Sequence, residues 1–432
     1  RVPDTRDPDE GCGVGSDTFG GDYNWVGLLG QAFVEGLHAG AEGRLFVIAK
    51  HFPGHTGANR PLEEEVPTVR KSLEQLTQIE LAPFFAVTGR ASSAAAQVDG
   101  VLLSHIKYHW VQGNIRITTR PLSFDPDALA AVLALPEFAV WRSTHGLIVS
   151  DELGARAVRR FYDPSENTFE TRFVARDAFL AGNDVLYLGD FSTAAGGDNY
   201  ASTVQTLEFF AQKYREDVAF AARVDESLFR ILVNKFRLYD TFSLDTVLAP
   251  ENRLFRLGDT QQVGFEVARQ AATLFSPDQS DLDVGLPAPP SLTERLVILT
   301  DSIPVQQCSA CPVQAAPERD AFAQAVLQLY GPEASGLVVQ QNLLSYGFDD
   351  LTALLDNQEA GLELQSEMRR AEWVIILMQD VSTAREHSDA LARLLAERPD
   401  LLSGKRLIVF ALDAPYFLDA TDISKLTAYY GL

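Results

Sequence analysis

The residues best equipped for chemistry sit where apolar runs end. Leu45-Phe46-Val47-Ile48-Ala49 breaks into Lys50-His51-Phe52-Pro53-Gly54-His55, which puts an amine and two imidazoles within six positions. Val98–Ser104 ends in Ser104-His105, and Gly146-Leu147-Ile148-Val149-Ser150 ends in Asp151. A fourth run, Asp184–Leu188, ends in Gly189-Asp190. A short apolar run that stops at a polar group reads as a buried strand delivering that group at its C-terminal end. Pro53-Gly54 then turns the chain away, because proline fixes φ and glycine accepts φ > 0. In parallel β/α folds that end of the strands is where reactive groups collect. Hydrogen-bond donors and an ionisable carboxylate brought to one rim suit recognition of a polar substrate and attack on it. The plainer reading is a strand edge with a solvated turn and chance histidines, and for Asp151 a carboxylate capping the next helix.

The elements that would position these groups alternate. Helical spacing at Tyr23–Leu37 precedes strand 45–50. An amphipathic stretch at Thr68–Gly89, broken near Pro83, precedes strand 98–104. A helix at 125–135 leads to strand 146–150, and a helix at 166–181 leads to strand 184–188. Helices at 202–216 and 225–238 close this half. Strand–helix alternation with polar strand ends predicts a parallel sheet. Four strands are half of a closed (β/α)8 barrel, so the expected fold class is α/β, with a partial TIM-type barrel over 1–240. Residues 241–294 read as a linker with a short helix (Gln261–Thr273) and the proline-rich Leu286–Pro290. Over 295–432 the expectation is a doubly wound α/β sandwich domain, with strands at 295–300, 336–340, 373–379 and 406–411 and helices at 318–330, 348–356 and 383–396. Its strand ends carry Asp301, Asp380 and Asp413 but no glycine-rich phosphate fingerprint, so no nucleotide cofactor is expected.

Composition narrows the partners. The 432 residues are 46% hydrophobic and 22% charged, as in folded globular proteins. Net charge is −23 with no block of Lys or Arg, which disfavours nucleic acid and anionic membranes. No run of eighteen apolar residues occurs, so no membrane span is expected. Cysteine is confined to Cys12, Cys308 and Cys311. Without a second pair, Cys308-Ser309-Ala310-Cys311 does not suggest a metal site. It reads as a local disulfide, implying an exported or envelope-associated protein, or as a free-thiol pair.

Taken together, Lys50–His55, Ser104-His105 and Val149-Ser150-Asp151, in this order and at these separations, resemble glycoside hydrolase family three, in its branch of bacterial β-N-acetylhexosaminidases. Thr18-Phe19-Gly20-Gly21-Asp22, Thr119-Arg120-Pro121-Leu122-Ser123 and the Arg230–Lys235 helix extend the resemblance, and Phe410–Tyr416 carries it into the second half. The resemblance implies hydrolysis of β-linked sugars with retention of configuration, Asp151 being the nucleophile that forms a glycosyl–aspartate intermediate. It also implies that Lys50, His51 and His55 bind the carbohydrate substrate and that His105 lines the pocket; for His105 a satisfied rim histidine remains the other reading.

The sequence departs from the family pattern in three places. The Asp-Ser-His that supplies the branch's acid/base is replaced by Pro61-Leu62-Glu63. Glu63 is then either the substitute acid/base or part of an acidic first turn of a helix beginning near Pro67. The family's arginine before Ser-Phe-Gly falls at Asp17. The family's first three barrel strands have no counterpart after Arg1. The strand near 45–50 is therefore expected to pair with polypeptide outside this sequence: an N-terminal stretch, a separate chain or a partner subunit. The lost dyad also motivates an alternative, a catalytically silent glycan-binding or envelope structural relative. A phosphorylase would need an anion site that the sequence does not reveal.

Overall fold

A computed structural model of the chain describes residues 19, 21–55, 57–60, 65–165, 167–193, 198–239, 241, 243–248, 260–305, 312–379, 389–412 and 418–431. The chain divides into two compact units, 1–251 and 252–432. Both are α/β.

In the first unit, helix α1 (Tyr23–Gly40) starts where Asp22 accepts the backbone N–H groups of Asn24 and Trp25. Strand β1 (Ile48–Phe52) follows, then the two-residue β2 (Thr68–Val69), α2 (Leu73–Gln78) and α3 (Leu81–Val87). Next come β3 (Gly100–Leu103), β4 (Lys107–Tyr108), α4 (His109–Gln112), α5 (Pro126–Leu133) and α6 (Pro136–Ser143). Strand β5 (Leu147–Ser150) leads to α7 (Arg156–Tyr162), α8 (Thr171–Ala181), α9 (Asn199–Glu216) and α10 (Val218–Leu238). The main sheet is parallel, in the order β1-β3-β5, while β2 pairs with β4 beside it. Behind the sheet, Phe52 meets Phe84 and Phe138 edge-on at 5.1 and 5.0 Å, and Trp141 donates from Nε1 to the carbonyl of Val98.

Several expectations shift. Strand β1 runs through His51 and Phe52 instead of ending before them, because its pairing with β3 continues after a register shift between Ala49 and Phe52. The helix expected from Thr68 begins at Leu73, capped by Ser72, since Thr68-Val69 pairs as a strand. The break falls at Ile79-Glu80, and Pro83 sits in the first turn of α3, where its missing N–H removes no helical hydrogen bond. The expected strand 184–188 is reduced to one bridge, Val149 to Val185. Ser150 Oγ accepts from Tyr187 N at 2.9 Å, so a side chain replaces the next rung of the ladder.

A buried ionic cluster fastens this segment. Asp184 accepts from Ile148 N (3.0 Å), Ser227 Oγ (2.9 Å), Arg142, Arg230 (3.3 Å) and, at 3.5 Å, Arg223. Its side chain is fully buried, so one carboxylate ties α6, β5 and α10 together.

In the second unit β6 (Thr273–Ser276), β7 (Leu296–Thr300), the hairpin β8 (Ile303–Val305)–β9 (Gln314–Ala316), β10 (Leu343–Gly347), β11 (Trp373–Met378), β12 (Arg406–Ala411) and β13 (Ala428–Gly431) follow in order. Six of them form a sheet ordered β10-β7-β11-β12-β13-β6, parallel except where β6 runs antiparallel to β13. Alternate residues of β7 and β11 enter different cores. Val297, Leu299, Val374 and Ile376 pack with the helices Phe348–Leu355 and Ala390–Glu397. Leu296, Ile298, Trp373 and Ile375 pack with Leu282 and Ala323 on the other face. Burial on both faces is why these strands are unbroken apolar runs. The stretch expected as linker supplies β6 and the helices Gln261–Ala271 and Gln279–Gly285. The strand expected at 336–340 lies instead at 343–347, paired with β7. Asp301 is buried, and its carboxylate accepts from Gln379 N at 3.0 Å. Asp380, Asp413 and the cysteines Cys12, Cys308 and Cys311 lie outside the described residues.

Burial alone would push the Asp184 carboxyl up, but the Arg142 hydrogen bond and the surrounding guanidinium charges outweigh it and hold the group below its ordinary 3.8. A depressed carboxyl stabilises the fold above its unfolded value and loses that contribution as pH falls through the folded one. Asp184→Asn should therefore cost about 3–5 kcal/mol at neutral pH, since it strands buried guanidinium groups. Its disadvantage should shrink on acidification. Urea unfolding across pH checks this; a loss below about 1 kcal/mol at pH 7 would contradict it.

Candidate functional site

The ends of β1, β3 and β5 bring together most of the groups singled out by sequence. Asp151 follows β5 directly, and its N–H donates to Leu103 O at 3.0 Å, the last link between β3 and β5. One carboxylate oxygen, Oδ1, accepts from Glu152 N at 2.8 Å. The other, Oδ2, lies 4.0 Å from His51 Nε2, with the two side chains 28% and 16% exposed. The nucleophile candidate is thus accessible, with one oxygen tied to its own backbone and the other facing an imidazole. It does not cap α7, which begins five residues later behind Ala155.

His51 and His55 have ring centroids 5.6 Å apart, inclined at 41°. Between them the chain turns through Pro53 and Gly54, and the Lys50–His51 and Phe52–Pro53 peptide bonds are cis. Gly54 is required here. Its φ is +108°, and a Cβ would come 2.7 Å from that of Glu80. Glu80 is buried and ion-paired with Lys71, so α3 and the segment before α2 form a fixed floor under the turn. From above, the buried Tyr108 hydroxyl donates to Gly54 O. Lys50 is exposed and has no ion pair among the described residues.

His105 is only 6% exposed. Its Nδ1 lies 2.7 Å from Ser123 Oγ and its Nε2 3.1 Å from Glu152 O, and its ring stacks on Phe124 at 5.4 Å. Burial lowers its proton affinity, against the opposing pull of the Asp151 charge and the nearby backbone carbonyls. Its neighbour in β4, Lys107, is also buried; its ammonium donates to Ile117 O (3.1 Å) and lies 5.3 Å from the Phe161 ring centroid. Burial, and to a lesser degree the charge of Arg60, lowers the Lys107 pKa.

Glu63 lies outside the described residues, as do Pro61 and Leu62. The helix-start reading of the acidic run is corrected, because α2 begins only at Leu73 and Glu65 is ion-paired with Arg60. Among the described residues no group of three His, Cys, Asp or Glu could hold a metal ion, and no helix is long and apolar enough to cross a membrane. A cavity of about 760 Å³ lies elsewhere, lined by Glu35, His38, Asp99, Trp141 and Arg237 near the N-terminal ends of the strands.

Sequence reasoning missed Tyr108, Lys71 and Glu80, which hold the turn, and Glu152, whose backbone joins Asp151 to His105. Tyr108 and Glu80 carry no local signal, since each acts through a contact distant in sequence. Ser123 stood in a recognisable segment, but its partner could not be read from it.

Comparison with known proteins bears on the family and the fold. Residues 3–228 match the family model described as "Glycosyl hydrolase family 3 N terminal domain". A β-hexosaminidase of Pseudomonas aeruginosa (strain LESB58) is 34% identical over 95 residues, 22% of this chain and 26% of the relative. One of Xylella fastidiosa (strain M12) is 27% identical over 146 residues, 34% of this chain and 38% of the relative. These matches span between a quarter and two fifths of the curated relatives. Among solved structures, a family 3 β-N-acetylglucosaminidase from Paenibacillus sp. str. FPU-7 aligns with TM-score 0.64 at 19% identity, over 97% of this chain and 67% of that one. A fungal multi-domain family 3 β-N-acetylglucosaminidase gives 0.68 at 19%, over 99% and 42%. At such identities the likeness is one of fold.

Proposed function

The chain belongs to glycosyl hydrolase family 3, and on that premise we propose that it is a retaining glycoside hydrolase of β-linked sugars, with N-acetylhexosaminides as the first substrates to test. The observation that carries the reading is the Asp151 carboxylate at the end of β5, one oxygen held by Glu152 N and the other 4.0 Å from His51. A retaining glycosidase needs an ionised carboxylate fixed against the anomeric carbon, and a strand end supplies that rigidity. Lys50, His51 and His55 then serve as donors and acceptors for sugar hydroxyls. In the proposed cycle Asp151 Oδ2 attacks the anomeric carbon as the glycosidic bond breaks and the leaving oxygen takes a proton from the acid/base. That group then deprotonates water, which releases the sugar from Asp151. Glu63 is our assignment for the acid/base, on its sequence position.

The barrel reading belongs to the same proposal. Three parallel strands and the Val149–Val185 bridge would be the fourth to seventh of eight. Strand β1 pairs with β3 alone among the described residues, and alternation along its regular part turns the N–H and C=O of Ile48 and the N–H of Lys50 to the open edge. Ile48 there is 41% exposed. An open parallel edge with apolar side chains calls for further strands, so we assign it to additional polypeptide that completes the barrel. In the whole protein the Ile48 and Lys50 amides should then exchange slowly with deuterated solvent; exchange at the unprotected rate would contradict a completed barrel.

Two substitutions test the chemistry. Asp151→Asn should lower kcat on a nitrophenyl N-acetyl-β-glucosaminide by at least about 1,000-fold with the melting temperature unchanged, because only the nucleophilic charge is lost. An unaltered kcat would remove Asp151 from the mechanism. A wild-type protein that binds glycan but turns over no aryl glycoside would instead support the silent-relative alternative, which the missing Asp-Ser-His motivates.

Glu63→Ala should depress hydrolysis of substrates with poor leaving groups far more than of nitrophenyl glycosides, and azide should restore part of the rate, because an activated leaving group needs no proton. Equal losses on both, or none, would exclude Glu63.

A further inference from the structure

We infer that His105, together with Ser123, is a positioning residue that holds the Asp151 turn in its reactive geometry and does not contact the sugar. The inference rests on Asp151 being the nucleophile, but its geometry is independent of the substrate. Glu152 O can only accept, so His105 Nε2 carries the proton at that 3.1 Å contact. In the neutral ring Nδ1 is then a lone pair, and Ser123 Oγ, 2.7 Å away, donates to it. A neutral imidazole has one donor and one acceptor, and here both are spent on the protein. Nothing remains for a sugar hydroxyl. Turning the ring to free either nitrogen would give up both hydrogen bonds and the stack on Phe124, whose plane is inclined by only 16°.

The hydroxyl that fixes the tautomer is itself fixed. Ser123 is fully buried in the single turn Leu122–Phe124, and Asn183 Nδ2 holds its carbonyl at 3.0 Å. The lowered proton affinity of buried His105 agrees with the neutral form.

What the pair holds is the turn after β5. The peptide between Glu152 and Leu153 is gripped at both ends, its carbonyl by His105 and, at 3.2 Å, by Ala155 N, and its N–H by Tyr187 O at 2.9 Å. With that peptide fixed, Glu152 N points at Asp151 Oδ1, which leaves Oδ2 toward His51. Removing the His105 donor leaves the carbonyl to Ala155 N alone and loosens the peptide that aims the carboxylate. A positioning error of about 1 Å can cost on the order of a hundredfold in rate without altering binding.

The test compares His105→Leu, His105→Gln and Ser123→Ala in the whole protein. Glutamine keeps a side-chain N–H near the Nε2 position, and leucine does not. With nitrophenyl N-acetyl-β-glucosaminide, His105→Leu should lower kcat about 100-fold with KM within about twofold, and His105→Gln should recover at least about tenfold of that loss. In parallel, amide exchange at Glu152 should quicken at least about tenfold in His105→Leu and return in His105→Gln, while the Asp151 amide, bonded to Leu103 O, stays protected. A raised KM with unchanged kcat would make His105 a sugar contact and overturn the inference, as would unaltered Glu152 exchange. If the wild type hydrolyses no aryl glycoside, the proposed function fails while the exchange data still decide the role of His105. Should the leucine variant not fold, Ser123→Ala removes only the hydroxyl. It should quicken Glu152 exchange by at least about threefold, and no change would overturn the inference.

Discussion

The hydrogen bond from Asp151 N to Leu103 O is the point on which the rest of the site depends. It is the last backbone link between β3 and β5, and it fixes the main chain of a carboxylate that combines exposure with a place at the strand ends. Beyond it the regular ladder fails. Ser150 Oγ takes the Tyr187 amide, His105 takes the Glu152 carbonyl, and the turn bends away toward α7. The structure exchanges strand pairing for side-chain hydrogen bonds where chemistry would need an accessible side chain on a rigid backbone.

The other half of the site is fastened by a different device. The Lys50–His55 turn gains its rigidity from below and above, through Glu80 packed under Gly54 and the Tyr108 hydroxyl on the Gly54 carbonyl. The approach of Glu80 leaves no room for a Cβ, so the glycine answers to packing as well as to φ. At the opposite ends of the strands, Asp184 and its guanidinium partners tie α6, β5 and α10 together. Stability and site chemistry therefore rest on different residues at different ends of the same strands, as parallel β/α folds permit.

Much of this was legible in the sequence because the signals were local. Apolar runs ending in Lys50-His51, His105 and Asp151 are strands whose last residues meet at one end, and the both-faces burial of β7 and β11 shows in their unbroken apolar stretches. The Asp184–Leu188 run was misread as a full strand, since nothing local reveals that Ser150 would take over its pairing. The 336–340 run was likewise apolar enough for a strand, but pairing with β7 selected 343–347. The bracing residues Tyr108, Glu80 and Lys71 were invisible because their meaning lies in contacts between distant parts of the chain. His105 was visible as a residue but its contacts were not, because they depend on where Ser123 and Glu152 place their oxygens.

The central claim is that Asp151 is the atom-bearing nucleophile of a retaining hydrolysis. A fluorinated N-acetyl-β-glucosaminyl fluoride, which forms a glycosyl–enzyme quickly and releases it slowly, tests that claim directly. Mass spectrometry of the whole protein, followed by peptide mapping, should find one added sugar, carried as an ester on Asp151. A label on any other residue, or turnover of the reagent with inverted configuration and no label, would contradict the account.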